Sequence, residues 1–296
     1  MRKTLLKRLL LVVAAIMLAS LISLGFSKYG LAVSRYTISS PGITAPMRIV
    51  QLSDLHNSLF GENNRRLTAK VAAEEPDLIL ITGDLLNQKE ERTDVAVDLI
   101  RQLSAVAPVY VSWGNHEQGY ESRYNVSLKD LYQEAGATVL DYEWAEIGVN
   151  GQTVRLGGVY GYGLPKELHD EAKPMEEEFF RFLLDFEDTA ELTILMCHMP
   201  VSWLRYGSLN SWDIDYVFAG HDHGGQIRIP FVGGLWAPDQ GWFPGRECGL
   251  YFSEDGESTL ILTRGLGNTD KYPRFNNIPE IVTVDFKAGE KPGPSE

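Results

Sequence analysis

The chain has 296 residues, is 44% hydrophobic and 23% charged, and so has the balance of a folded globular protein, which excludes a disordered or collagen-like chain. Its two cysteines exclude a disulfide framework, and its net charge of −13 makes it a poor non-specific binder of nucleic acid. The charge is unevenly placed: Arg2, Lys3, Lys7, Arg8 and Lys28 precede the first acidic residue, Asp54, so the body is more acidic than the whole.

Residues 9–26 (LLLVVAAIMLASLISLGF) carry no charge and reach the lower edge of bilayer-spanning length. More basic residues precede this stretch than follow it closely, which places the N-terminus in the cytoplasm and the body outside. The pattern predicts a retained signal anchor over 1–28. The alternative is a signal peptide cleaved near the weak small-x-small sites at 23–25 or 32–34, with secretion of the rest. Residues 29–46 read as a tether, 47–287 as one domain and 288–296 as a polar tail.

Within the domain, strands are predicted over 47–52, 77–82 and 109–113, alternating with helices over 63–75, 94–103 and 127–134. The near-continuous apolar run at 77–82 fits a strand buried on both faces. Asn150-Gly151 marks a hairpin between strands at 144–149 and 152–159. A helix over 174–184 follows, then strands over 192–197, 216–219, 226–229, 250–253, 259–263 and 280–286. Alternating β and α elements followed by hairpins imply a mixed α/β sheet architecture.

Five short segments carry the chemistry: Asp54-Leu55-His56, Gly83-Asp84, Gly114-Asn115-His116-Glu117, His198, and Gly220-His221-Asp222-His223. Each follows a predicted strand, where α/β sheets gather their ligands. Of the six histidines, only His169 lies elsewhere. Imidazole, carboxylate and an amide oxygen together form a ligand set for transition metals such as Mn, Fe or Zn.

The order D-x-H, G-D, G-N-H-E, H, G-H-x-H resembles the calcineurin-like metallophosphoesterase family. The stretches GHDHGGQ at 220–226, Gly265-Leu266-Gly267 and Pro279-Glu280-Ile281 are similar to its bacterial membrane-associated branch. The resemblance spans about residues 47–286. It implies a four-layer α/β/β/α sandwich behind the N-terminal transmembrane helix. It also implies two divalent metal ions (Mn, Zn or Fe): one on Asp54, His56 and His223, the other on Asn115, His198 and His221, with Asp84 bridging. His116 would face the scissile phosphate as general acid. Two departures stand out: Asn87 replaces a frequent second Asp, and the loop at 160–165 lacks an acidic residue.

Around this set, Glu117 reads either as an orienter of His116 or as a charge at a helix N-terminus. Asp222 reads as exposed or outlying, and Cys197 as a small buried hydrophobe. Arg228, Arg264, Lys271 and Arg274 are candidate phosphate contacts, chiefly Arg228 and Arg274. Trp236, Trp242, Phe243 and Tyr251 belong to the core or to a substrate- or lipid-facing rim. The expected function is a membrane-anchored phosphohydrolase. It would cleave small-molecule or lipid-linked phosphate esters by a two-metal-activated hydroxide. The alternatives are a pyrophosphatase of a nucleotide-linked lipid sugar (UDP-diacylglucosamine type) and a non-catalytic metal-binding scaffold. A nuclease reading is weakened by the acidic body.

Overall fold

The computed structural model describes residues 2–161, 164–171, 174–268 and 273–290, with side chains outside 169–176. Helix α1 (Arg2–Tyr29) has an 18-residue window of mean hydropathy 2.7, none of it buried, and is long and apolar enough to cross a membrane. Its last turns dock on the body. Asn276 N–H donates to Ser23 Oγ (3.0 Å) and Asn277 N–H to Ser27 Oγ (3.1 Å).

The first sheet takes strands β1 (Ala32–Ser40), β2 (Met47–Leu52), β3 (Leu78–Thr82), β4 (Val109–Ser112) and β5 (Ala137–Val139). The second takes β6 (Glu143–Val149), β7 (Gln152–Val159), β8 (Leu192–Cys197) and β9 (Tyr216–Ala219). Two small ribbons follow, β10 (Arg228–Ile229) with β11 (Gly233–Gly234) and β12 (Trp236–Ala237) with β13 (Gly241–Trp242). Strands β14 (Gly249–Phe252) and β15 (Thr259–Leu262) complete the second sheet, and β16 (Glu280–Ala288) returns to the first. The sheet orders are β1-β16-β2-β3-β4-β5 and β14-β15-β9-β8-β7-β6.

Alternation on the strands builds the layers. In β3, Leu78 and Leu80 face the second sheet and meet Ile194 and Met196 of β8 and Phe218 of β9. Ile79 and Ile81 face outward, toward α2 (Arg65–Ala72), α3 (Asp94–Ser104), α4 (Asn115–Tyr124) and α5 (Leu128–Glu134). On the far side, Leu195 and Cys197 pack with α6 (Pro174–Glu187), α7 (Val201–Arg205) and α8 (Ser208–Ser211). The result is the α/β/β/α sandwich, and Cys197 is the buried hydrophobe expected of it.

The structure adds short elements that the sequence reading did not contain, β5, α7, α8 and β11 to β13, and departs from it more substantially elsewhere. The expected tether at 29–46 contains β1, which pairs in parallel with β16 from Ala32↔Glu280 to Ser40↔Ala288. Its residues alternate weakly and only its far end is buried, so it read as a spacer after the anchor. Helix α4 was not predicted, because its sequence NHEQGYESRY lacks an apolar stripe. The strand expected over 226–229 shrinks to β10.

Candidate metal centre

Strands β2, β3 and β4 run parallel in one sheet and β7, β8, β9 and β15 in the other. The loops beyond β2, β3, β4, β8 and β9 converge, bringing Asp54, His56, Asp84, His198, His221 and His223 together with His116, whose chain neighbour is Asn115. Three groups have ligand atoms mutually within 4.8 Å: Asp54, His56 and His223; Asp84, His198 and His221; and His56, Asp84 and His116.

The backbone is strained where it presents these groups. Asp54 (φ 54°), His56 (φ 46°), Asp84 (φ 55°), His221 (φ 71°) and His223 (φ 48°) all occupy the left-handed region, a cost of about 1–3 kcal/mol each. Close approach of the loops needs glycine. A Cβ on Gly83, itself at φ 85°, would lie 2.4 Å from Gly114 N, and one on Gly265 would lie 2.7 Å from Asp54 Cβ.

The imidazoles are aimed in pairs. His56 Nε2 and His223 Nε2 are 3.3 Å apart, and His198 Nε2 and His221 Nδ1 are 3.2 Å apart. Asp84 Oδ2 lies 3.3 Å from His198 Nε2 and 3.6 Å from His56 Nε2, between the two pairs. Asp54 Oδ1 lies 3.5 Å from His223 Nε2. The far ring nitrogens are held: His198 Nδ1 lies 2.6 Å from Thr82 O, and His221 Nε2 lies 3.0 Å from Asp239 Oδ2. Such contacts place the proton on one nitrogen and free the other as a ligand. Asn115 Oδ1 is buried and has no hydrogen-bond partner among the described residues. Facing nitrogens, a carboxylate between them and an orphaned amide oxygen are the donor set a cation pair satisfies.

Electrostatics separates the two imidazole pairs. Burial pushes His56 down to about 3, and burial, then His56 and Arg274, hold His223 well below its usual value. Burial opposes the charged form of His198 too, but Asp84 and its hydrogen bond, with Asp54, raise it to about 10. Burial likewise works against ionised Asp84, yet His198 beside it holds its carboxyl well below the usual range.

Several supporting groups differ from the sequence reading. Glu117 does not orient His116; it stands in the first turn of α4, the helix N-terminal place that was its other reading, but is buried there. Its fully buried carboxylate accepts from Asp84 N–H (2.7 Å), Leu85 N–H (2.8 Å) and Gly114 N–H (2.9 Å), tying two ligand loops together. Burial, then the charge of Asp84, pushes it up to about 7. Arg274 is buried, and donates to Gly267 O (2.6 Å), Arg264 O (2.6 Å) and His223 O (3.3 Å), so it braces the His223 loop where a phosphate contact was expected. Arg228 pairs with Glu247 (3.1 Å) and Arg264 with Glu280 (2.7 Å), while Lys271 lies outside the described residues. Asp222 is buried and accepts from Gln240 Nε2.

Asp239 and Asn277 were missed. Asn277 Nδ2 donates to His223 O (2.7 Å) and Gln226 O (3.1 Å). No local motif marks either residue, whereas the Glu at the third helical position after Gly114 was a readable capping signal.

A four-layer sandwich with carboxylates, imidazoles and an amide at the parallel strand ends defines the class of metal-dependent hydrolases. The chain belongs to the Calcineurin-like phosphoesterase family, whose profile matches residues 47–225, and so to the hydrolases acting on phosphoester bonds. It is 28% identical to the uncharacterized protein YpbG of Bacillus subtilis over 62% of this chain and 64% of that protein. It is 26% identical to the phosphodiesterase YaeI of Escherichia coli, over 82% of this chain and 83% of that one. It is 24% identical to the UDP-2,3-diacylglucosamine pyrophosphatase LpxG of Chlamydia muridarum, over 80% of this chain and 83% of that one.

Proposed function

We propose that the protein is a membrane-anchored phosphoesterase that hydrolyses phosphate ester bonds with two divalent cations, its catalytic domain facing outside the cytoplasm. The observation that carries this reading is the pair of facing imidazoles on either side of Asp84. Asp54, His56 and His223 would hold one cation and Asn115, His198 and His221 the other, with Asp84 shared. Paired cations of the Mn, Zn or Fe type supply Lewis acidity for the phosphoryl oxygen and acidify the attacking water.

The chain's own groups do the rest. Only two carboxylates, Asp54 and Asp84, serve this ligand set, so the loaded site is positive and attracts phosphate despite the acidic body. His116 Nδ1 accepts from Gln88 N–H (3.2 Å), which leaves the proton of the neutral ring on Nε2. The ring meets His56 edge-on, centroids 4.4 Å apart, at the mouth of the site. To act as general acid the ring takes up a second proton at Nδ1, releasing Gln88 N–H, and the imidazolium then gives the Nε2 proton to the leaving oxygen and returns to the neutral ring. Asp84 Oδ1 accepts the His116 N–H (2.8 Å) and so sets the height of that ring over the site.

The full-length chain in detergent, assayed on bis(p-nitrophenyl) phosphate with parallel metal analysis, tests this. Two cations per chain and turnover abolished by a chelator are expected; turnover that survives complete cation removal overturns the reading. The similarity to LpxG favours a second reading, a pyrophosphatase of a nucleotide-linked lipid sugar. That substrate is met on the cytoplasmic face, so a topology reporter fused after residue 290 separates the two.

A further inference from the structure

The ribbon after the ligand loop carries apolar side chains into solvent. Phe231 is fully exposed at the turn between β10 and β11, beside exposed Ile229 and Val232, and Trp242 and Phe243 are exposed on the neighbouring ribbon. Phe231 (φ 66°) and Phe243 (φ 53°) sit in the left-handed region, a strained conformation for bulky residues. The two ribbons are joined by Leu235 N–H to Ile227 O (2.7 Å) and Phe243 N–H to Leu235 O (2.9 Å), so these side chains belong to one surface. Contiguous exposed apolar patches mark interaction sites.

The backbone shows which way this surface points. From buried Arg274 the chain runs outward to Asn276, beside Ser23 of α1, and reverses there at φ 51°. Asn277 then lies beside Ser27, about 6 Å along the helix toward the body. Segment 226–228 bridges 274–276 in parallel through Ile227↔Phe275, and Asn276 Nδ2 donates to Arg228 O (3.2 Å). The ribbon therefore travels outward with that segment and carries its tip past the level of Ser23, alongside the uncharged stretch of α1. Near the base of the helix stand Lys28 and Arg66, whose Nη2 donates to Tyr29 O (3.3 Å), cations at the height where lipid phosphates would lie.

We propose that the tip of the β10–β11 ribbon, with Trp242 and Phe243, is a second membrane contact that enters the interface of the leaflet α1 crosses. This rests on the anchor reading above. The occupant is a lipid surface, because the patch is continuous with the unburied apolar face of α1 and has aromatic residues of the kind that settle at membrane interfaces. A helix and a ribbon together fix the tilt of the catalytic domain, which a single helix leaves free to rotate.

The test uses the full chain in vesicles of phosphatidylcholine and phosphatidylglycerol, in a Cys248→Ser background, Cys197 being buried. An environment-sensitive NBD label is placed singly at Phe231→Cys, Val232→Cys, Leu18→Cys in α1, and Glu191→Cys at the opposite end of the second sheet. Blue-shifted emission, loss of iodide quenching and gain of quenching by brominated lipid at 231 and 232, absent at 191, are expected. A label at 18 in lipid with 231 and 232 as iodide-accessible as 191 overturns the docking surface and leaves the anchor standing. All four labels equally accessible to iodide overturn the anchor as well.

Discussion

The two halves of the candidate metal centre have similar ligands and different electrostatics. In the half formed by Asp54, His56 and His223, burial keeps both imidazoles neutral, His56 at about 3, and Arg274 Nη2 donates to His223 Nδ1 (3.3 Å), which leaves the proton of that neutral ring on Nε2. In the half formed by Asn115, His198 and His221, Asp84 and Asp54 overcome burial and hold a proton on His198 up to about 10. At one position the rings carry no charge for a cation to displace, while at the other a cation must displace a proton. The difference shows that burial alone does not prepare an imidazole to bind metal; the placement of the nearest carboxylate decides it.

The most severe way to break this comparison is Asp84→Ala. It removes the group between the halves, and we expect cation retention and turnover to fall to background together, read by metal analysis and phosphodiester assay. Next, His116→Gln leaves both halves intact and removes the proton donor. Metals stay bound and turnover falls about 10²- to 10⁴-fold, most with poor leaving groups. A variant that loses its metals would make His116 a ligand.

Glu117→Gln sharpens the comparison from behind, since it weakens the tie between the Asp84 and Gly114 loops. We expect cation affinity to fall about 10- to 100-fold, as for other groups that support ligands, measurable by competition with a chromophoric chelator. The pH test is smaller and signed. Affinity of the His198 half rises with pH, about tenfold per unit for one displaced proton, until near pH 10, while in the other half the neutral imidazoles add no such rise and only the Asp54 carboxyl, pushed up by burial, makes binding tighten with pH. In the cation-free protein the same proton contributes stability that is complete below the ordinary histidine value of 6.5 and is lost as pH rises through about 10. Titration calorimetry and thermal melts over pH 6–9 read both. The smallest effect is Asp239→Asn, expected to weaken cation binding about tenfold through the tautomer of His221 and to leave the other half unchanged.

Much of this site was legible in the sequence, because metal ligation needs particular residue types and strand ends put them at fixed places in the chain. Asp54, His56, Asp84, His198 and the pair His221 and His223 each follow an apolar run that is unmistakably a strand. The supporting groups were not legible in the same way. Arg274 looks like any basic residue until its donors are seen to reach three carbonyls, and Asp239 reaches His221 from a loop with no motif. In the fold, α4 escaped notice because the loop geometry around Gly114 and Glu117 starts it, with little help from an apolar stripe. Strand β1 escaped because its partner lies about 250 positions away in the chain.

That last pairing bears on how the protein is made. β16 inserts between β1 and β2, so the first sheet keeps two unsatisfied edges until almost the whole chain has left the ribosome. Closing so long a loop carries an entropic cost and waits on the synthesis of β16. A nascent chain stopped short of residue 280 would hold its N-terminal helix and most of its sandwich, yet expose bare strand edges to its neighbours. Premature termination should therefore yield aggregates, with no working fragment.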